Sequence, residues 1–247
     1  MNRKCRFCGK ELKTNFVDLG LSPVSTEYLS VDSSLKGEMF YPLHVRVCSE
    51  CFLVQADVYS SPEKIFNDYK YLSSNSQAWL QHAEAYVDMI IGKLALDENS
   101  LITEIACNDG YLLQYFNKRG LKNYGVEPAE NVADIASGKG IDVECDFFGA
   151  EFAEKLVQKR GRSDLILGNN VLAHVPDING FVEGMKILLK PLGTITMEFP
   201  HLLNLIKQIQ FDTIYHEHFS YFSLYAVINI FKNPYLHSVA KSDIINL

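Results

Sequence analysis

The sequence predicts an α/β protein in which a small N-terminal metal-binding module precedes a doubly wound parallel sheet. Two observations carry this prediction. Two C-x-x-C pairs lie near the N-terminus, and from residue 101 onward strand patterns alternate with helix patterns. A chain of 247 residues is long enough to bury one sizeable core beside such a module. We expect the module at 1–55, a helical connection at 56–100 and the sheet domain at 101–225.

Composition and charge exclude several classes of protein. Hydrophobic residues make up 47% of the chain and charged residues 21%, which is typical of a soluble globular protein. The formal net charge of −7 argues against a general nucleic-acid binder. No apolar run is long enough to cross a membrane, and the N-terminus lacks the apolar stretch of a secretory signal. We expect a cytoplasmic protein, monomeric and without nucleic-acid or membrane partners.

Four cysteines of the N-terminal module have the spacing of a metal site. Cys5 and Cys8 form one C-x-x-C pair, and Cys48 and Cys51 form a second. Each such turn directs two thiolates at one point, so two turns complete a tetrahedral sulfur shell that suits Zn²⁺. Four protein ligands close the site, and we interpret it as structural, since a module this small needs such a centre to fold. The alternatives are unrelated thiols or a redox pair.

The connection begins with few regular signals and ends in a helix. Residues 68–71, Asp-Tyr-Lys-Tyr, combine aromatic rings with polar groups, which is also the composition of a half-buried loop that packs two rings. Over residues 73–96 apolar side chains fall on one helical stripe. Ser73, Ser74 or Ser76 is available to cap this helix.

The stretch 101–127 organises the second domain. Residues 101–105 predict a buried strand, a turn follows at 107–110, and a helix and a second strand ending at Glu127 come next. Gly110 can take a conformation that a side chain penalises, and it lets a ligand approach the main chain. An acid at the end of the second strand accepts hydrogen bonds from the ribose hydroxyls of an adenosine.

The ligand predicted for this unit is S-adenosylmethionine (SAM). The turn has a single glycine in place of the dinucleotide fingerprint G-x-G-x-x-G, and Asn108 and Asp109 precede it. Carboxylates at Glu104, Asp109 and Glu127 would repel a pyrophosphate but suit a ligand that carries an amino group and a sulfonium. The alternatives are a dinucleotide site and an ordinary β-turn-α unit with surface acids.

Further elements complete the predicted sheet domain. We expect helices at 128–137, 150–159 and 181–189 and strands at 141–143, 163–175 and 194–199. The carboxyl ends of parallel strands share one edge of the sheet, where the ligand crevice lies. Asp146 and Asn169 fall near this edge. Asp146 precedes an aromatic residue, an arrangement that contacts an adenine, and a helix cap is its equal alternative.

The densest chemistry lies at residues 215–221, Tyr-His-Glu-His-Phe-Ser-Tyr. Two histidines, a carboxylate and phenols this close together can form a metal cluster, a hydrogen-bonded core or an acid/base set. The histidines lack the i, i+4 spacing of helical zinc hydrolases, which disfavours a metal. We favour acid/base chemistry, with packing as the main alternative.

Five separate motifs, in order along the chain, resemble the sugar C-methyltransferase family, which methylates the 3-position carbon of nucleotide-linked 4-keto deoxysugars. The motifs are the two cysteine pairs and residues 69–74, 104–113, 169–177 and 215–223, and the match runs from residue 5 to about 225. The resemblance implies a class I methyltransferase-like sheet that binds SAM, a structural zinc module and a nucleotide-linked sugar as substrate.

The resemblance also implies roles for single residues. The acid/base residues of the family fall on Tyr69, His174, Tyr215, Glu217 and His218. We expect His218 to remove the C3 proton that the 4-keto group acidifies, with Glu217 orienting it. The others would donate hydrogen bonds to the enolate or to sugar oxygens. Residues expected to bind SAM are Glu104, Asn108, Gly110, Glu127, Asp146 and Asn169.

The resemblance ends before the chain does. The family continues into another α/β domain, which residues 226–247 do not resemble. We therefore expect 226–247 to be the truncated start of a C-terminal domain and the chain to be weak or inactive. The alternative functions are an inactive SAM-binding remnant or scaffold and a small-molecule O- or N-methyltransferase.

Overall fold

A computed structural model describes residues 3–25, 28–29, 37–59, 65–66 and 69–232 of the chain. The chain divides into two compact units, each built from separate stretches. The first unit comprises 1–65, 170–179 and 199–237, and the second comprises 66–169, 180–198 and 238–247. The predicted domain boundaries stay predictions, and residues 233–247 of the expected truncated segment lie outside the described residues.

Strands and α-helices are numbered here in chain order over the described residues. The strands are β1 (Thr14–Ser22), β2 (Tyr41–Val47), β3 (Val54–Ala56), β4 (Leu101–Ile105), β5 (Lys122–Val126), β6 (Val143–Glu144), β7 (Ser163–Asn169), β8 (Leu189–Glu198) and β9 (Ser220–Tyr221). The helices are α1 (Gln77–Leu94), α2 (Leu113–Lys118), α3 (Glu130–Gly138), α4 (Ala150–Arg160), α5 (Ile178–Leu188), α6 (Leu202–Lys207) and α7 (Leu224–Phe231). None of these helices is both long and apolar enough to cross a membrane.

The first unit is built on an antiparallel sheet in the order β1-β2-β3-β9. In β2 and β3 the side chains of Leu43, Val45 and Val54 are buried, and α6 adds the buried Leu202 to the same cluster. The last strand comes from the far end of the sequence, since Gln55 pairs with Ser220. This pairing brings the segment that follows residue 215 into the unit that holds the cysteines.

The second unit is built on a parallel sheet in the order β6-β5-β4-β7-β8, which confirms the predicted doubly wound fold. The central strands β4 and β7 are almost entirely buried, as their apolar runs predict. The strand order reverses between β4 and β7, and in such sheets ligands bind at the carboxyl ends of the strands at this point. The turn after Ile105 and the side chain of Asn169 lie at these ends.

Helix α1 begins one turn later than predicted, because Ser73–Asn75 forms a separate 3-10 turn. Ser76 is the cap, and its hydroxyl accepts a hydrogen bond from the Trp79 N–H at 3.2 Å. The Tyr86 hydroxyl of this helix lies 2.6 Å from the Thr196 hydroxyl on β8. Of the predicted apolar stripe, Ala83, Tyr86 and Ile90 are buried, and Val87 is buried beside them.

One strand is shorter than predicted. The sequence predicts that the strand beginning at 163 continues to 175, but β7 ends at Asn169. Asn170 has a left-handed φ of 53°, which breaks the strand, and Leu172–His174 forms a 3-10 turn. The apolar residues after 170 are therefore buried in a turn and not in the sheet, and this turn presents His174.

Candidate active site

The turn after β4 has an unusual backbone. Ala106, Asn108 and Gly110 have φ values of 58°, 50° and 75°, so every second residue is in the left-handed region. This region favours glycine, and other residues pay about 1–2 kcal/mol to enter it. Of these three positions the sequence predicts only Gly110. Asparagine at 108 is a residue type that enters this region more readily than most, whereas alanine at 106 gives no sign of it.

One of the two reasons predicted for glycine at 110 is confirmed, since its φ lies in the left-handed region. A Cβ added there would also lie 2.6 Å from Cγ1 of Ile141, so packing requires glycine as well. The approach of SAM to its main chain stays a prediction. Gly125 on β5 is under a similar constraint, since a Cβ there would lie 2.2 Å from the Cys107 sulfur.

Glu127 closes the second strand of this sheet, as predicted, and its carboxylate is buried. Oε2 accepts a hydrogen bond from the Asn108 N–H at 2.9 Å, and Oε1 accepts one from the Ala129 N–H at 3.0 Å. Burial raises the pKa of Glu127 to about 7 against the opposing effect of these two bonds. Each oxygen keeps a second lone pair with which to accept a ribose hydroxyl.

Two further carboxylates lie in the interior beside the turn. Glu104 is fully buried, and neither of its oxygens has a hydrogen-bond partner among the described residues. Burial, and then the nearby Glu127 and Asp109, raise its pKa well above the usual range. Asp109 Oδ2 lies 2.8 Å from the Lys139 ammonium and also accepts from the Ser74 hydroxyl, whereas Oδ1 is unpartnered within the described part of the chain.

These carboxylates fit the predicted cofactor. Buried, unpartnered acceptors are costly unless a ligand satisfies them. SAM offers an ammonium and a sulfonium for Glu104 and Asp109 and a ribose diol for Glu127, whereas a pyrophosphate would add negative charge. The residues of this chain that would hold SAM are therefore the acids around the turn.

Three further residues predicted to bind SAM lie in different environments; they are Asn108, Asp146 and Asn169. The Asn108 side chain serves the fold, since Oδ1 accepts from the Ser73 N–H at 2.9 Å and Nδ2 donates to the Tyr71 carbonyl at 3.0 Å. Asp146 is exposed and is no helix cap, because Gly149 occupies the cap position of α4. Asn169 ends β7 and is half-buried. Their contacts with SAM stay predictions.

The affinity for SAM is expected to depend on the ionisation of Glu127. Below the raised pKa of about 7 the group gains a proton and accepts weaker hydrogen bonds from ribose hydroxyls, so affinity falls as the pH is lowered from 8 to 6. Glu127→Gln should weaken binding at pH 8 on the order of tenfold and remove this part of the pH dependence. Calorimetric titration at several pH values measures both effects.

The matched control for this titration is Glu130→Gln, which changes an acid in the first turn of α3. It should leave the affinity and its pH dependence unchanged. Equal profiles for the unmodified protein and Glu127→Gln would contradict the ribose contact, provided that both proteins melt at similar temperatures.

The four cysteines of the first unit come together as predicted. Their sulfur atoms all lie within 4.8 Å of one another, and the Cys5–Cys51 and Cys8–Cys48 sulfurs are each 3.5 Å apart. A tetrahedral Zn²⁺ with bonds of about 2.3 Å places its sulfurs about 3.8 Å apart, so the cluster fits the metal. Such a centre would supply folding free energy, because these four ligands fill its coordination shell.

The two cysteine turns share a backbone design. The Gly9 N–H donates to the Cys5 carbonyl, and the Phe52 N–H donates to the Cys48 carbonyl. Gly9 and Phe52 are both left-handed, with φ values of 74° and 59°. Gly9 is a residue type that indicates such a turn in the sequence. Phe52 adopts the same conformation although its residue type does not favour it.

A second cluster in the first unit contains four of the predicted acid/base residues. The His218 ring donates from Nδ1 to the Thr213 carbonyl at 2.9 Å, because a carbonyl can only accept. Nε2 of that ring therefore bears the lone pair, and it accepts from the Tyr215 hydroxyl at 2.8 Å. The His174 ring contacts the His218 ring at a centroid distance of 4.7 Å, and its Nδ1 donates to the Glu217 carbonyl at 2.9 Å.

Burial keeps both histidines neutral. It lowers the pKa of His174 to about 4, and burial together with the neighbouring His174 lowers the pKa of His218 to about 3. The Glu217 carboxylate is also buried and accepts from the Ser25 hydroxyl at 2.9 Å. The Thr213 carbonyl thus orients the ring of His218. Because this carbonyl is a backbone group, the pattern of side chains in the sequence does not predict the contact.

Tyr69 belongs to the second unit, whereas these four residues belong to the first. Its main chain is bonded to Asn131 on α3, with the Tyr69 carbonyl accepting from Nδ2 at 2.8 Å. Its ring packs on Phe66 at 5.5 Å between centroids. Its predicted contact with the substrate stays a prediction.

Two family models match the chain. Residues 5–66 match one described as "Putative zinc binding domain", and residues 79–233 match one described as "Methyltransferase domain". Among curated proteins, C-methyltransferase NovU of Streptomyces niveus is 34% identical over 236 residues, which covers 96% of this chain and 56% of that protein. The chain thus spans about half the length of this relative.

Other similarities cover a smaller part of the chain. A ubiquinone biosynthesis O-methyltransferase of Bartonella bacilliformis is 32% identical over 98 residues, covering 37% of this chain and 38% of that protein. The crystal structure of a SAM-dependent methyltransferase from Archaeoglobus fulgidus aligns with a TM-score of 0.52 at 19% identity, covering 64% of this chain and 68% of that one. This structural likeness concerns the fold of the parallel sheet.

Proposed function

The chain belongs to the methyltransferase domain family, and from that premise we propose that it is a C-methyltransferase of nucleotide-linked 4-keto deoxysugars. The class I fold and the family membership establish a SAM-dependent methyltransferase with a zinc-binding domain. Transfer to carbon is supported by the likeness to NovU, which is named a C-methyltransferase. The sugar substrate is supported by the motif resemblance described above.

The observation that carries the proposal is the Tyr215–His218 pair. A carbon becomes a nucleophile only after it loses a proton, and a carbonyl beside it makes that proton removable. Tyr215 is half-buried, whereas His218, which accepts a hydrogen bond from its hydroxyl, is buried. We assign Tyr215 to contact the substrate and His218 to accept the proton.

Proton removal from C3 involves both residues of the pair. The Tyr215 oxygen takes the C3 proton while its own proton passes to Nε2 of His218, which leaves an enolate and an imidazolium. The low pKa of His218 makes it a weak base in isolation. Charge that develops on the enolate favours the imidazolium and raises that pKa as the reaction proceeds. This assignment replaces direct proton removal by His218 with removal through the phenol.

The remaining residues take supporting roles. Because Nδ1 of His174 donates to the Glu217 carbonyl, Nε2 of the neutral ring is an acceptor, so His174 suits a sugar hydroxyl better than an enolate oxygen. Tyr69 keeps its proposed role as a donor to a sugar oxygen. SAM, when bound, supplies an electrophilic methyl group on a sulfonium. The cation of bound SAM would favour the ionised form of Glu104, whose pKa burial and the neighbouring carboxylates raise well above the usual range, and Asp109 adds a carboxylate beside the same turn.

The second candidate is methyl transfer to oxygen, because part of the chain is also similar to a ubiquinone biosynthesis O-methyltransferase. The Tyr215–His218 pair could deprotonate a hydroxyl as well as a carbon acid. The two candidates differ in the atom that carries the new methyl group.

The decisive experiment supplies SAM labelled with ¹³C in its methyl group together with a nucleotide-linked 4-keto deoxysugar. The expected product has a labelled methyl bonded to carbon, identified by its ¹³C shift and its coupling to the ring. In the absence of SAM, the C3 proton should exchange with D₂O. A labelled methoxyl group would favour the O-methyltransferase, and the absence of both transfer and exchange would contradict the proposal.

A further inference from the structure

An arginine inside the first cysteine turn reaches the segment that carries the acid/base residues. Arg6 lies between Cys5 and Cys8, and its guanidinium donates to three groups of the same unit. Nη2 donates to the Ala56 carbonyl at 2.9 Å, and Nη1 donates to the Ser220 hydroxyl at 3.2 Å and to the Phe219 carbonyl. The guanidinium therefore ties the end of β3 to the beginning of β9.

Phe219 is the residue through which this contact acts. Its carbonyl also accepts from the Ala56 N–H, and its own N–H donates to the Ala173 carbonyl at 2.8 Å. The ring of Phe219 is buried and lies 5.8 Å from the Arg6 guanidinium carbon. The two peptide groups that flank Phe219 are thus both held: the one shared with His218 donates to Ala173, which precedes His174, and the one shared with Ser220 accepts from Ala56 and Arg6.

The main chain of Arg6 is held by side chains that contact the first cysteine turn. Its N–H donates to Gln55 Oε1 at 3.0 Å, while Gln55 Nε2 donates to the Cys5 sulfur at 3.2 Å. The Asn179 amide donates to the carbonyls at both positions of the turn interior, Arg6 and Phe7. Hydrogen bonds of this kind around metal ligands hold the ligands in orientation. Here they also fix the starting point of the arginine side chain.

We propose that Arg6 is a positioning residue, through which the metal-bound turn holds the main chain at Phe219 and so sets the orientation of the His218 ring. The planar guanidinium suits this role because it can serve three acceptors at fixed angles, which a lysine ammonium on a flexible stem cannot do. A zinc centre that takes no part in the reaction would then still affect it. The inference rests on the proposed function for its kinetic test, but its spectroscopic test needs no substrate.

The spectroscopic test compares Arg6→Gln with Arg3→Gln, the control at an exposed arginine three positions earlier. Imidazole ¹⁵N signals are recorded by NMR, and His218 is assigned from the spectrum of His218→Asn. In Arg6→Gln the His218 signals should shift and lose the pattern of a single Nδ1-protonated tautomer, while those of His44 on β2 stay in place. Zinc content should remain near one per chain. Unchanged His218 signals, or equal shifts at His44 and His218, would overturn the proposal.

The kinetic test measures C3-proton exchange in D₂O. Arg6→Gln should lower kcat about 10- to 100-fold with less than about a threefold change in KM, since misplacement of a reacting group acts on the reaction step. A loosened His218 ring is better hydrated, so its pKa rises toward that of ordinary imidazole and the acid limb of the pH profile moves to higher pH. Arg6→Lys should recover part of the rate. If Arg6→Gln and Arg6→Lys lose the same fraction of kcat and the pH profile stays unchanged, the role of Arg6 is purely structural.

A second variant keeps the inference testable if Arg6→Gln fails to fold or to retain zinc. Ser220→Ala removes one acceptor of the guanidinium without touching the cysteine turn. It should shift the His218 signals in the same direction by a smaller amount, with full zinc content. In a protein that already carries Arg6→Lys, Ser220→Ala should have less effect on the His218 signals than in the unmodified protein. The guanidinium and the Ser220 hydroxyl act through one contact, so their effects are not independent. Additive effects would contradict the coupling.

Discussion

Replacing His218 with asparagine is expected to slow C3-proton exchange by about 10²–10⁴-fold, since loss of a general base typically has effects of this size. Asparagine can still donate to the Thr213 carbonyl, but it cannot take up the proton of Tyr215 at Nε2. Exchange in D₂O without SAM isolates proton removal from methyl transfer. SAM affinity, measured by calorimetry, serves as the check that the variant is folded.

Tyr215→Phe decides between the two assignments of the base. If the phenol passes the proton to His218, this variant should lose about as much rate as His218→Asn, and the double variant should lose little more. If His218 contacts the carbon directly, Tyr215→Phe should exchange faster than His218→Asn. Tyr225→Phe, at an exposed tyrosine of α7, is the matched control and should retain the full rate.

The pH profile of exchange adds an independent check. Because burial lowers the pKa of His218 to about 3, the ring stays neutral over the range in which an ordinary histidine becomes charged. Exchange by the unmodified protein should therefore not lose its base between pH 7 and pH 5. An inflection near pH 6.5 would show that the ring titrates as an exposed imidazole does, in conflict with its burial.

The second large effect is expected for Cys48→Ser. This change removes a buried ligand from the four-cysteine cluster and should lower bound zinc from about one per chain to nearly none. Structural zinc contributes folding free energy directly, so the loss should be on the order of several kcal/mol in the first unit. The apolar cluster of its sheet contains only eight buried residues among those described, too few to compensate.

Metal analysis and thermal melting of the same preparations test this prediction together. Cys145→Ser is the control, because Cys145 is an exposed cysteine outside the cluster. It should leave zinc content and the melting temperature unchanged. A Cys48→Ser protein that melts like the unmodified chain without zinc would show that the cluster does not support the fold.

Some features of the fold follow from short-range pattern, and the sequence predicts these well. The central strands β4 and β7 contain short apolar stretches, and the C-x-x-C turns fix the direction of their sulfur atoms within four residues. The acid at the end of β5 is predicted for the same reason, since Glu127 directly follows the strand. Local chemistry determines each of these features.

Other features depend on partners that are distant in the sequence or belong to the backbone. Ala106 and Asn108 are left-handed because the surrounding structure holds them so, against their own preference. The two-residue strand β9 has no periodicity to detect, yet it places residues 215–222 with the cysteine module. The partners of Arg6 and His218 are largely carbonyl groups, which every residue possesses. Side-chain identity cannot reveal such contacts.

The interleaved construction of the first unit has a consequence for synthesis on the ribosome. All four cysteines lie within the first 51 residues, so the metal can bind early in synthesis. The sheet is complete only when Ser220 has been synthesised and pairs with Gln55. Pairings this distant have a high contact order and form late. Until then the edge of β3 is unpaired, and exposed strand edges invite aggregation. We expect nascent chains that end before residue 220 to hold metal and yet depend on chaperones.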